Sequence, residues 1–347
     1  MIESKRRAQS PAIPEVTLES KVSFLRHTTS FPETTYRVEA IETHMSWVFL
    51  TDHHAYKLKK PVYHSFFNFS EMDARRHYCE EELRLNRRLA AELYLGVVRL
   101  VLNSRGHLQL DGRGATIDWL IEMRRLPMHL MLDYCIKNRT AGREEAFRIA
   151  ARLADFYRTC PPIAFDRRAY RNRFESQIGE VLEELSLPGY RLAVEQVNRV
   201  CSAQRAALKR MSRLFDERIK SGRIVEGHGD LRPEHVCLEP KLPIIDCLEF
   251  SRDLRIVDTA DEFAFLMLEC ERLGATDFGS LLVQAYGEIT GDRPNLALTH
   301  FYRSCRASLR AMVTIRHLNE ETFRYSPEWR RRAEEYLKLA RQHVSRC

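Results

Sequence analysis

The 347-residue chain has no stretch approaching the ~18 consecutive apolar residues that mark a membrane-spanning helix. Its nine cysteines are odd in number and never form a C-x-x-C pair, so neither a disulfide framework nor a four-thiolate zinc site is expected. Several fall in helical or strand patterns, where a reduced thiol is simply a small hydrophobe. No G-x-x-x-x-G-K-[S/T] run occurs, so the phosphate cradle of a P-loop is missing. The first ten residues, MIESKRRAQS, are basic but lead into no apolar run, so a cleaved secretory leader is not expected. No internal repeat or low-complexity tract is present. These absences point to a cytoplasmic protein that does not enter a membrane.

What remains is ordinary globular composition, with 44% hydrophobic and 30% charged residues. The length is enough for a large core in one bilobal unit or two domains. A net charge of +7 permits phosphorylated or anionic ligands. The densest basic runs, 330–332 and 167–173, share helical patterns with acids and apolar positions. Solvated faces explain them better than nucleic-acid binding, which is not expected.

The first third reads mostly as strand. VEAIET (38–43), SWVFLT (46–51) and AYKLKK (55–60) are rich in β-branched and aromatic residues, and Asp52-His53-His54 can turn the last two into a hairpin. VVRLVL and HLQL flank Ser104-Arg105-Gly106, a second hairpin signal, and TIDWLIEM (116–123) adds a further strand. Between them, residues 70–95 form one long helical pattern with Ser70 as its expected cap. Tyr78, Glu82, Leu85 and Leu89 share one face of it. Glu82 therefore lies in an apolar stripe, a costly place for a carboxylate unless a cation meets it.

After Pro127 helices dominate, at 128–137, 142–160, 168–187, 191–221, 258–272, 276–288, 297–317 and 327–345. The exception is HGDLRPEHVCLEPKLPIIDCLEF (228–250), where VCL and PIID read as two short strands joined around 239–242. The expected architecture is α+β: a strand-rich small lobe over 1–122, a hinge near 122–127, and a mainly helical lobe over 123–347.

In the 228–250 segment a strand pairing would set His235 beside Asp246, with Asp230 facing them across a loop that Pro233 stiffens. Two groups holding a divalent ion on ATP phosphates, and one carboxylate orienting or deprotonating a hydroxyl, is the chemistry of phosphoryl transfer. A cap, a core histidine and a turn acid would be the bland account of each residue alone; their joint occurrence in one short segment favours function. In the small lobe, Lys57 lies on the opposite side of its strand from Tyr56 and Leu58. Facing a cleft between the lobes, it would pair phosphates while Glu82 holds it. A structural Lys–Glu pair or a solvated edge fits as well, and Lys59 and Glu81 are the alternatives if the phase is shifted.

IETHMSWVFLTDHHAYKLKKPV, EEELRLNRRLAAELYLGVV, WLIEMRRLP, HGDLRPEHVCL, IIDCLEF and DTADEFAFL together resemble the aminoglycoside phosphotransferase-like branch of the protein-kinase-like fold. The chain is similar in particular to the kinase-like front domain of bacterial two-part aminoglycoside phosphotransferase/ATP-binding proteins. The resemblance spans residues 40–265 and implies a bilobal kinase-like fold. It makes Asp230 the catalytic-loop aspartate, Asp246 the metal-binding aspartate, Lys57 the phosphate-pairing lysine and Glu82 its helix partner. It places the backbone of Glu122 and Met123 against adenine at the hinge, His228 as a support of the loop, and Asp258 and Asp261 as braces.

Three departures stand out. The loop asparagine of the family is His235 here, and imidazole is a less natural magnesium ligand than an oxygen. Manganese, action through a water, and no metal at all are the uses left open for it. THMSWVFLTD, before Lys57, has no glycine, so Ser46 and backbone amides would have to hold phosphate. Asp246 is followed by Cys247-Leu248 rather than Phe-Gly, a change this branch tolerates. The P-loop half of the two-part proteins is not found, so its contribution is dispensable or comes from a separate P-loop ATPase or kinase polypeptide.

The expected activity is ATP-dependent phosphoryl transfer, with Mg2+ or Mn2+, to a hydroxyl of a small molecule. Arg232 would touch the transferring phosphoryl group or an anionic acceptor, or salt-bridge within the loop. The alternative is a degenerate kinase-like module that binds nucleotide or a partner protein without catalysis. A protein kinase is disfavoured because no A-P-E-like activation segment follows Asp246.

Overall fold

The computed structural model describes residues 16–64, 67–320 and 323–347. The chain divides into two compact units, Met1–Arg125 and Leu126–Cys347.

The first unit opens with helix α1 (Leu18–Leu25), capped by Thr17, whose Oγ1 accepts the Ser20 N–H at 3.2 Å. Strands β1 (Glu39–Glu42), β2 (Ser46–Leu50) and β3 (His54–Lys59) follow as an antiparallel meander. A two-residue pair, β4 (Tyr63–His64) and β5 (Phe67–Asn68), leads into helix α2 (Met72–Ala90). Strands β6 (Tyr94–Leu102), β7 (Leu108–Leu110) and β8 (Ala115–Arg124) complete a six-stranded sheet in the order β1-β2-β3-β8-β6-β7.

Strand alternation sorts β3 into two faces. Tyr56 and Leu58 enter a core with Phe49, Leu100, Leu120 and the α1 residues Val22 and Leu25. Lys57 and Lys59 point the other way, and both reach Glu82 on α2. A second buried acid, Asp118 of β8, takes Arg75 of α2 through two oxygens and Lys21 of α1 at 2.8 Å. Both helices are thereby tied to one strand.

Helix α2 is shorter than its sequence pattern suggests. Ser70 does not cap it: Glu71 holds the cap position without a side-chain bond, and the Ser70 hydroxyl bonds Asn68 Oδ1 at 2.6 Å. At the other end Tyr94 and Leu95 belong to β6, because pairing with β8 overrides their helical spacing.

The second unit is mainly helical: α3 (Leu132–Lys137), α4 (Arg143–Thr159), α5 (Arg167–Leu185), α6 (Val194–Arg210) and α7 (Ser212–Lys220) come first. The expected helix over 191–221 is two helices, broken at Met211. Residues 128–130 form a 3-10 turn rather than the start of α3. After β9 (Ile224–Glu226) and the 228–250 segment come α8 (Arg252–Arg255), β10 (Ile256–Asp258), α9 (Thr259–Arg272), α10 (Thr276–Thr290), α11 (Leu296–Ile315) and α12 (Pro327–Val344). Strands β9 and β10 pair antiparallel.

Helix α9 is buried along almost its whole length, and the acids on it must therefore find partners inside. An aromatic cluster of Tyr170, Phe174, Phe215, Phe301 and Tyr302 packs one side of the unit. Asp258 caps α9 and meets Arg218 and the Tyr302 hydroxyl beside that cluster.

The two strands expected within 228–250 do not form. Val236 and Ile244 make a single antiparallel bridge, preceded by a 3-10 turn over Pro233–His235. Two prolines, Pro233 and Pro243, remove donors that a ladder would need. The outer edge of the VCL run pairs instead with the segment before α3, through Leu132 N–H to Val236 O and Leu238 N–H to Leu130 O, both 2.8 Å.

Candidate functional site

In the first unit the sheet presents Lys57 and Lys59 to one carboxylate. Lys57 Nζ lies 2.9 Å from Glu82 Oε1, and Lys59 Nζ lies 2.7 Å from Oε2. The Glu82 and Lys59 side chains are 0% and 1% exposed, whereas Lys57 is 15% exposed. Glu82 therefore has one partner sealed in the interior and one half-buried. That answers why an acid sits in the apolar stripe of α2.

Ser46 is not placed to cradle phosphate. It is buried, its N–H donates to Thr43 Oγ1 at 3.0 Å, and its carbonyl accepts from Thr43 N–H at 2.8 Å. The turn between β1 and β2 engages the Ser46 N–H and carbonyl with Thr43. Glu122 and Met123 lie inside β8, with cross-strand partners on both flanks: Tyr56 and Gly96 for one, Ala55 and Tyr94 for the other. The Glu122 carboxylate accepts from the Tyr56 hydroxyl at 2.9 Å. Backbone groups there serve the sheet, and pairing within β8 stops at Arg124.

In the second unit Asp230, Arg232, His235 and Asp246 come together within one loop region. Arg232 donates from Nε to Asp230 Oδ2 at 3.0 Å, from Nη1 to Glu234 Oε1 at 2.5 Å, and stands with Nη2 3.0 Å from His235 Nε2. The other ring nitrogen of His235, Nδ1, lies 2.8 Å from the Asp230 carbonyl oxygen. Since a carbonyl only accepts and a guanidinium only donates, Nδ1 carries the hydrogen and Nε2 the lone pair. Asp246 Oδ2 is 3.5 Å from that Nε2.

Burial pushes the Asp230 carboxyl up, but the Arg232 guanidinium, with His235 and Arg310 after it, outweighs this and holds the group down at about 2. Asp230 is therefore a carboxylate at neutral pH. A carboxylate this weakly basic can accept a hydrogen bond from a hydroxyl but is a poor base for removing its proton beforehand.

The loop is held from behind by residues that sequence patterns did not single out. Glu262, in the first turn of α9, accepts the N–H groups of His228 at 3.0 Å and Gly229 at 2.5 Å, and the Tyr157 hydroxyl at 2.7 Å. Gly227 makes room for this: a Cβ there would stand 2.4 Å from Glu262 Oε2. Gly229 takes φ +87°, a left-handed conformation that glycine adopts without strain. Arg306 pairs with Asp261 through both oxygens, at 2.8 and 2.7 Å, and lies 3.3 Å from the Gly229 carbonyl. Asp261 thus reaches the loop through Arg306, while Asp258 serves Arg218 and Tyr302 instead.

His228 stitches the loop to the strand-like segment before Asp246. Its Nε2–H donates to Ile245 O at 2.8 Å, and Nδ1 accepts from Asp230 N–H at 3.3 Å. Both bonds require the neutral ring, and burial pushes its pKa down to about 4. The signal for Glu262 was available: it is an acid inside DTADEFAFL, an otherwise largely apolar helical run.

No family model matches the chain. Among solved structures, a choline/ethanolamine kinase family protein from Mesorhizobium loti is 15% identical, with a TM-score of 0.53 over 95% of this chain and 99% of its own. A choline kinase from Cryptosporidium parvum is 10% identical with a TM-score of 0.51, covering 95% and 97%. The GDP complex of a variant aminoglycoside 2'-phosphotransferase is 14% identical with a TM-score of 0.50, covering 94% and 98%.

The chain has the aminoglycoside phosphotransferase-like, protein-kinase-like fold.

Within this kinase-like fold, sequence relatives are more alike but say less. The uncharacterized protein Rv2004c of Mycobacterium tuberculosis and an uncharacterized protein of Mycobacterium bovis are each 32% identical in an alignment that covers 88% of this chain. The chain spans 60% of the length of each of these relatives.

Proposed function

We propose that this kinase-like chain is an ATP-dependent phosphotransferase that transfers the γ-phosphoryl group to a hydroxyl of a small molecule. The observation that carries the proposal is the ionised Asp230 carboxylate, held by Arg232 within the same loop region as Asp246. A structural acid would have its lone pairs consumed by the fold, as those of Glu262 are. Asp230 instead spends its side chain on one arginine and remains partly exposed.

In the step proposed, the acceptor oxygen forms a bond to the γ-phosphorus as the bond from that phosphorus to the β–γ bridging oxygen breaks, releasing ADP. The acceptor proton goes to Asp230 Oδ and then to solvent. Lys57, the outward partner of Glu82, fixes phosphate oxygens. Asp246 is the fitting metal ligand, because its carboxylate is 43% exposed and hard divalent cations take oxygen donors. Bound there, magnesium or manganese supplies charge that offsets the phosphate oxygens. The choline kinase and aminoglycoside phosphotransferase likenesses support a small hydroxyl-bearing acceptor.

The test is a pooled library of hydroxyl-bearing metabolites and aminoglycosides, incubated with purified protein, ATP and magnesium or manganese. A library member gaining about 80 daltons, the mass of a phosphoryl group, is the expected result. ATP and metal binding without any such product would support the non-catalytic nucleotide-binding module instead.

A further inference from the structure

Arg232 is the most heavily committed cation of the loop, and its commitments bear on how many metal ions the site takes. Its side chain is only 16% exposed, with the guanidinium against Asp230 Oδ2, Glu234 Oε1 and His235 Nε2. His235 is equally constrained. Its ring is 7% exposed, and Nδ1–H is bound to the Asp230 carbonyl.

A metal ion on His235 would need the Nε2 lone pair at a bond length of about 2 Å. That lone pair already faces an Arg232 nitrogen at 3.0 Å. A cation cannot enter between them without driving the guanidinium off His235, and off its two carboxylates as well. Exchanging a hydrogen-bonded, doubly paired, largely buried guanidinium for an ion that prefers oxygen is unfavourable on both counts. The histidine does not fit the metal.

We propose that His235 is a positioning residue for Arg232, and that the Arg232 guanidinium stands where a second cation would otherwise be needed, leaving Asp246 as the metal-holding residue of this loop. The proposal rests on the phosphotransferase reading above and specifies its charge balance. Nε, Nη1 and Nη2 face Asp230, Glu234 and His235, with Nη2 also 2.9 Å from Asp230 Oδ2, which leaves one Nη1–H in the same plane for a phosphoryl oxygen. Kinases that use a loop asparagine place a second metal there. Here a fixed side-chain cation serves, as an arginine supplied in cis does in other phosphoryl-transfer enzymes. Glu234 balances the extra charge when Asp230 turns to the acceptor.

The experiment measures Mn2+ binding in the presence of ADP, by electron paramagnetic resonance, for the wild type, His235→Ala, Arg232→Ala and Asp246→Asn. Turnover of the same proteins is measured alongside. One Mn2+ per protein is expected in the wild type. His235→Ala should keep that stoichiometry with affinity within about twofold, whereas Asp246→Asn should weaken binding by about tenfold or more, the usual effect of losing a metal-supporting group. In turnover, His235→Ala should lower kcat with little change in the KM for ATP. His235→Ala combined with Arg232→Ala should be no slower than Arg232→Ala alone, because the histidine acts through the arginine.

Two bound Mn2+ in the wild type, a tenfold loss of Mn2+ affinity in His235→Ala, or additive losses in the double variant would each overturn the proposal. Where His235→Ala does not fold, His235→Asn serves the same comparison. It should then bind one Mn2+ while Arg232 is present; a second Mn2+ in His235→Asn would count against the guanidinium as the occupying cation. If the wild type binds no Mn2+ with ADP and transfers nothing, the phosphotransferase reading itself falls, and this inference with it.

Discussion

Replacing Glu82 by glutamine keeps the shape of the side chain and removes the charge that two lysines share. Lys59 is 1% exposed and has no route to water, whereas Lys57 is 15% exposed and can turn outward. Breaking a buried pair by deleting one partner costs about 3–5 kcal/mol, because the remaining charge is left without compensation. Glu82→Gln should therefore destabilise by about that amount, nearly all of it through Lys59. Lys57→Met leaves Glu82 paired with Lys59 and should cost less than Glu82→Gln, about 1–2 kcal/mol, because the buried carboxylate keeps a cation. Combining Glu82→Gln with Lys59→Met removes the buried cation along with its carboxylate and should recover about 2 kcal/mol or more, a coupling that a double-mutant cycle reads directly. Urea unfolding followed by near-ultraviolet circular dichroism of Glu82→Gln, Lys57→Met, Lys59→Met and the double variant supplies the four values. A Glu82→Gln loss below about 1 kcal/mol, or losses that simply add, would refute the argument. The same set separates the lysines by function: Lys57→Met should raise the KM for ATP with the fold intact.

Two further outcomes follow from the loop and its support. Glu262→Gln places an amide donor against the N–H groups of His228 and Gly229 or the Tyr157 hydroxyl; it should cost about 1–3 kcal/mol and slow transfer at least about tenfold, read by unfolding and turnover. An unchanged rate would remove Glu262 from the positioning of the loop. His228 should titrate by nuclear magnetic resonance near 4 rather than 6.5. The unfolded chain binds this proton first, so the contribution to stability is complete above about pH 6.5 and is lost as pH falls toward 4. At about 1.4 kcal/mol per unit this amounts to about 3 kcal/mol, and His228→Asn should flatten the acid side of the stability curve. A His228 resonance titrating near 6.5 would contradict the neutral, doubly bonded ring.

Local pattern made much of this molecule legible before its structure. Alternation in AYKLKK placed Lys57 opposite Tyr56, and helical spacing placed Glu82 on a buried face. The separation of Asp230, His235 and Asp246 along 228–250 was enough to anticipate their gathering, although not the reason for it. Two short strands were expected there, and a single bridge between prolines does the work, with His228 and Ile245 making the closure. What pattern could not supply was long-range partnership. Lys59 was read as an alternative to Lys57, yet both share Glu82. The helix limits at Ser70 and Tyr94 were set by Asn68 and by β8, neither visible to propensity. Ser46 is a candidate phosphate contact in sequence because THMSWVFLTD has no glycine, and only the structure shows its N–H bonded to Thr43. The departure from asparagine at His235 was evident in the sequence, but its meaning depends on where Arg232 goes.

The most direct test of the central claim is ATP-dependent product formation by the wild type and Asp230→Asn, at saturating ATP and magnesium, with the acceptor found in the library screen. Asparagine keeps the loop geometry and the Arg232 contact through its carbonyl oxygen, but cannot take the acceptor proton. The account predicts a fall in kcat of about 10²–10⁴-fold, with ATP binding retained. Wild-type turnover by Asp230→Asn would contradict the account.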